Sequence, residues 1–201
     1  MSTRQITLGQ VTATFVPFGL LLVAALMGAE TALDLPFQRM IYSIWATMAL
    51  MIPALCLYIL PSRTQPRKNL WLLYWTFAYL AYLVHFYYAV MVHYHASITE
   101  VFAQQGVKIA GSNFLVTFWW ALDVVLAWTV QSDVKWIGIS RLLANIYIPF
   151  TFFVASVVLF QGFVNVLGYA MTAGIILCLL VRIHAWWLAA HPVVQTEASG
   201  G

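Results

Sequence analysis

The chain has 201 residues, of which 63% are hydrophobic and 7% charged, and its nine Lys and Arg against six Asp and Glu leave a net charge of +3. A soluble domain carries about 25% charged residues, so this composition excludes a soluble enzyme, a disordered chain and a secreted disulfide scaffold, and puts the outer surface in the lipid bilayer. The basic residues are spread over several loops and make no stripe for phosphates, which excludes nucleic acid as a partner.

A helix needs about 20 mostly apolar residues to cross the hydrocarbon core, and six segments qualify. They predict an all-α, polytopic integral membrane bundle, one domain over residues 1–190, followed by a disordered tail over 191–201. The first span, 11–32, reads as a retained anchor, because cleavage after Ala29 leaves Met27 where a small residue is needed. The second, 40–60, follows a turn at Asp34 and Pro36 and carries Pro53, which should kink it. The third, 70–92, is rich in Trp and Tyr. Tyr74, Ala78, Ala81 and His85 share one of its faces, so the alanines make room for a neighbour where His85 needs a polar contact. That places the third span centrally. The fourth, 113–130, contains TFWWALDVVLAW. The apolar run 142–189 is too long for one helix, and its most polar point, Gln161, Gly162 and Asn165, divides it into 142–161 and 166–188. Five spans with one long tilted helix is the alternative.

Charge orients the bundle. With a cytoplasmic N-terminus, Arg4, Arg63, Arg67, Lys68, Lys135, Arg141 and Arg182 fall inside, and only Arg39 and Lys108 outside. That is the positive-inside asymmetry, and an even number of spans returns the C-terminus to the cytoplasm. A bacterial inner membrane is the simplest setting. Small residues at Ala24, Gly28, Ala170 and Gly174 allow close helix approach. Cys56 and Cys178 read as packing residues. Trp119, Trp120, Trp186 and Trp187 read as lipid-facing or interface anchors, and Asn113, Asn145, Gln161 and Asn165 as helix caps.

Ionisable groups inside lipid are functional hypotheses by default. Three stand out: His85, Asp123 near the middle of the fourth span, and Arg182. Asp123 must protonate or pair, with Arg182, His85 and the tyrosines of the third span as partners. It reads first as a tie between helices and second as a proton-relay or substrate carboxylate. A second group lines the outer rim: His93, His95 and Glu100 after the third span, and Glu30 and Asp34 after the first, with Met27, Met40 and Met91 nearby. Imidazole with thioether suits copper, and imidazole with carboxylate suits zinc or another divalent metal. His93 and His95 reach one ion only if the chain leaves the helix there. No two histidines of one chain sit at matching depth on facing helices, so a bis-histidine haem is not expected within one chain.

The chain carries no GxGxxG, P-loop, HExxH or GxSxG motif and no glycosylation sequon. The leading expectation is an accessory subunit that packs against other membrane subunits, or itself, in a larger redox or transport assembly and helps to shape a quinone, lipid or cofactor site. The alternatives are a metal-binding or redox protein built on the rim, and a small oligomeric transporter using Asp123.

Overall fold

The helix starts follow from local chemistry. Thr7 and Gln10 cap α1 (Leu8–Gly28) reciprocally, each side chain accepting from the other's backbone N–H, at 3.2 and 3.1 Å. Asp34 accepts from Phe37 N–H at 3.2 Å at the head of α2 (Leu35–Ile59), and Pro36 fills the first turn, where its missing N–H is no loss. Pro66 opens α3 (Gln65–Phe86) in the same way. Ser97 caps α4 (Ile98–Thr129), accepting from Glu100 N–H at 3.2 Å. α5 (Lys135–Phe153) and α6 (Phe163–Ala190) complete the set. Two helices widen as they end, α3 into a π-helical segment, Tyr87–His93, and α5 into another, Val154–Leu159. This computed structural model describes residues 5–30, 33–61, 64–130, 134–159 and 162–191, and every regular element among them is a helix.

All six helices, with their π-helical extensions, are long and apolar enough to cross a membrane. Most begin a few residues before the hydropathy boundary, because polar caps and first turns precede the apolar stretch. The fourth departs further. Expected over 113–130, it starts at Ile98 and breaks at Gly106, where φ 76° and ψ 159° interrupt the helix. Gln104, Gln105, Lys108 and Ser112 dilute the hydropathy of this helical stretch, so it reads as a loop. The chain turns at Gly162 (φ 96°) before α6, which removes the five-span alternative. Gln161, Arg4, Arg63 and residues 192–201 of the tail lie outside the described residues.

Consecutive helices run antiparallel. At one end, Asn69 Nδ2 on α3 donates to Gln5 O ahead of α1 at 2.7 Å, and Arg182 Nη1 on α6 donates to Ile59 O on α2 at 3.3 Å. At the other, His85 Nδ1 lies 2.8 Å from Met40 O near the start of α2. We call these the basic end and the far end. The α2–α3 pair is the most extensive in the bundle, with α1, α4 and α6 around it. Ala78 and Ala81 are fully buried at this contact, beside the His85–Met40 bond. Tyr74 Oη, on the same face, reaches Ala13 O at 3.3 Å. Gly174 on α6 lies against Cys56 and Ile52 of α2, and Gly28 lies under the Tyr42 ring.

The core is aromatic. Trp75 and Trp120 are both fully buried with ring centroids 4.7 Å apart. Tyr82 and Phe152 close on Trp120 at 5.6 and 6.1 Å. Trp120 therefore corrects the anchor reading. It faces the α3 rings of Trp75, Tyr79 and Tyr82, while Trp119 Nε1 donates to Ser140 Oγ at 3.1 Å. Trp186 and Trp187 remain exposed. Asn113 and Asn145 also depart from the cap reading, since their helices start earlier and leave both mid-helix.

Candidate functional site

Asp123 is 1% exposed and has two partners on two helices. Trp75 Nε1 on α3 donates to Oδ2 at 2.9 Å, and Arg141 Nε on α5 donates to Oδ1 at 3.2 Å. The Trp71 ring lies 5.3 Å from the Arg141 guanidinium carbon, within range for a cation–π contact. Neither Arg182 nor His85 reaches Asp123: Arg182 is spent on Ile59 O and His85 on Met40 O. Hydropathy starts the fifth span at residue 142, which leaves Arg141 in a basic loop. With α5 beginning at Lys135, Arg141 lies about 9 Å inside the helix. Asp123 likewise sits about 9 Å from the end of α4, at the level of Arg141 rather than at mid-helix. Arg141 Nη2 and Asn145 Oδ1 are buried without a described partner, a donor and an acceptor one turn apart.

The structure keeps His95 beside Glu100 and gives the other rim residues other partners. Glu30 pairs with Arg39, and Asp34 caps α2. The chain does leave the helix after His93: His95 and Ala96 have φ 50° and 61°. Beyond that turn the two imidazoles have different neighbours. His93 packs on Phe37 and Tyr94, with ring centroids at 5.7 and 4.7 Å, while His95 Nδ1 stands 3.6 Å from Glu100 Oε2 in the open. Among the described residues, no three His, Cys, Asp or Glu side chains gather as a metal site.

A cavity does form nearby. It measures about 440 Å³ and lies between α2, α3, α4, α5 and the start of α6, towards the far end. Both π-helical segments border it, through Ala89, Val90, Ala155 and Leu159. Such segments often mark functional sites, because the extra residue per turn opens a helix face. Met48, Tyr82, Val116 and Phe152 line its deep part, and His93, Tyr94, Gln104 and Gln105 lie towards the helix ends. No Asp, Glu, Lys or Arg is among its lining residues. A volume of several hundred cubic ångströms with mostly apolar walls and a few polar groups is the usual form of a small-molecule site.

Most of the wall's polar groups satisfy one another. Gln105 Nε2 donates to Tyr94 Oη at 3.1 Å, and Asn113 Nδ2 to Gln105 Oε1 at 3.0 Å. The Tyr82 hydroxyl bonds Asn113 O at 3.2 Å and Thr117 Oγ1 at 3.0 Å. Gly106 makes this mesh possible, since its turn brings Gln104 and Gln105 to the wall. His85 also lines the cavity, with only Nδ1 engaged. Of the expected site residues, the cavity takes in His85 and His93 and leaves out Asp123, Arg182, His95, Glu100, Glu30 and Asp34. Hydropathy and motif reading could not find the cavity, whose walls come from five helices. The interruption of the apolar pattern at Gln104–Asn113 was the one trace of it in the sequence.

No family model, no curated protein and no solved structure matches this chain.

Proposed function

We propose that this integral membrane protein holds one lipid-like molecule in the cavity at its far end, and that it does so as an accessory subunit of a larger membrane assembly. The observation that carries the reading is the 440 Å³ apolar cavity bordered by both π-helical segments. The subunit role draws on the short helix connections, which leave little outside the bilayer except the helix ends. Asp123, fastened by two partners, serves the fold. The proposed setting is a bacterial inner membrane with the basic end in the cytoplasm. Arg67, Lys68, Lys135 and Arg182 belong to that end, while the other side has Arg39, paired with Glu30, and Lys108 on α4.

The test is photolabelling in nanodiscs with a diazirine-bearing lipid, the labelled peptides being mapped by mass spectrometry. Saturable labelling at Met40, Phe86 or Phe152 is the expected result. Labelling spread evenly over exposed residues such as Leu20 and Leu180, with no saturable fraction, would overturn the cavity reading. Mild-detergent purification tests the subunit role, which fails if the protein emerges alone and monomeric.

A further inference from the structure

The state of one imidazole narrows the chemistry of the occupant. His85 Nδ1 lies 2.8 Å from the carbonyl oxygen of Met40. A carbonyl only accepts, so the ring proton sits on Nδ1. The wall holds no carboxylate to stabilise an imidazolium, and an unpaired charge in such surroundings is costly. A neutral ring that donates from Nδ1 presents a bare lone pair at Nε2. No described residue bonds to that nitrogen.

Two more wall residues carry unsatisfied polar atoms. Trp45 Nε1 and Ser156 Oγ are buried and have no described partner. Native proteins leave few such groups unmet. His85 thus lines the cavity with Nε2 unengaged, while the Trp45 N–H and the Ser156 hydroxyl are sealed within the wall. The cavity offers no cation for a phosphate or carboxylate and no anion for an amine.

We propose that the cavity selects an uncharged lipid bearing a hydroxyl group, whose O–H donates to His85 Nε2 while its carbon skeleton fills the space between Met48, Phe86 and Phe152. This rests on the cavity reading above and adds the head-group chemistry. A glycerolipid alcohol and a reduced prenyl quinone share that chemistry.

The experiment uses the full-length protein in nanodiscs and displacement of the diazirine label. Three competitors of equal chain length are compared: a long-chain primary alcohol, its methyl ether and the corresponding carboxylic acid. The alcohol should displace the label at about tenfold lower concentration than the ether, the worth of one added hydrogen bond, and the acid should do no better than the ether. His85→Ala should bring alcohol and ether to the same value, with the fold checked by an unchanged elution profile. Equal displacement by alcohol and ether in the unaltered protein overturns the hydroxyl proposal and leaves the cavity reading standing. Failure of all three to displace a label that maps to the cavity also overturns the hydroxyl proposal. Absence of saturable labelling sinks the cavity reading itself. Competition by a diacylglycerol against a reduced prenyl quinone then separates the two sources, and stronger displacement by either supports the proposal.

Discussion

Arg141 Nε donates to Asp123 Oδ1 at 3.2 Å, tying α5 to α4, while Trp75 binds the other carboxylate oxygen from α3. Asp123 is 1% exposed and Arg141 23%. Removing one partner leaves the other charge buried and uncompensated. Asp123→Asn should therefore lower stability by about 3 kcal/mol, the lower end of the range for broken buried pairs because Arg141 keeps some exposure. The double change Asp123→Leu with Arg141→Met should recover most of that loss, since apolar pairs often replace buried ion pairs without penalty. Thermal unfolding in detergent measures both. A single variant as stable as the parent, or a double variant worse than the single, would show that the pair is not the tie described.

Gly106 has φ 76° and ψ 159°, and a Cβ there would meet nothing within 4 Å. Space is not the constraint; backbone conformation is, because that region is nearly exclusive to glycine. Gly106→Ala should destabilise the protein by about 1–3 kcal/mol and weaken lipid labelling, since Gln104 and Gln105 lose their place at the wall. Gly111 is equally uncrowded but has helical backbone. Gly111→Ala should be neutral or stabilise by about 0.5–1 kcal/mol. Equal effects of the two changes would argue against the break at Gly106.

The number of spans was legible in the sequence because hydropathy sums over many residues and tolerates local error. The face of α3 carrying Tyr74, Ala78, Ala81 and His85 was legible too, since helical spacing alone sets it. The partner of Asp123 was not. With α5 starting at Lys135 rather than at 142, Arg141 is a half-buried helix residue paired with Asp123, not a loop charge. One apolar-looking boundary thus reassigned the most informative carboxylate of the chain. The cavity was out of reach for a different reason. It depends on two π-helical segments and a glycine break, and none of these leaves a periodic mark in the sequence.

Gly168 on α6 packs against the π-helical part of α5. A methyl group there would collide with Ser156 Oγ and stand 2.8 Å from Val157 Cγ2. Gly168→Ala should cost about 1–3 kcal/mol through overpacking. It should also push the Val154–Leu159 segment and alter the affinity for the photolabel. Gly174, whose Cβ would sit at an ordinary 3.7 Å from Cys56 Sγ and Ile52 Cγ2, supplies the control. Gly174→Ala should change stability by far less. The reverse ranking in unfolding temperature would place the close α5–α6 contact elsewhere.

Cys56 on α2 and Cys178 on α6 are free thiols on facing helices: a Cβ at Gly174, one turn before Cys178, would stand 3.7 Å from Cys56 Sγ. Neither belongs to a CxxC pattern, and they read as packing residues in sequence. Their proximity depends on α6 lying along α2 with Gly174 facing Cys56. Copper phenanthroline, a membrane-permeant oxidant, should therefore join them within one chain. The product is a species that migrates faster on a non-reducing gel and reverts with dithiothreitol. Cys56→Ala or Cys178→Ala alone should abolish the shift. An intermolecular dimer in place of the fast monomer would mean that the two thiols meet across chains, so that α6 packs on a second copy rather than on its own α2.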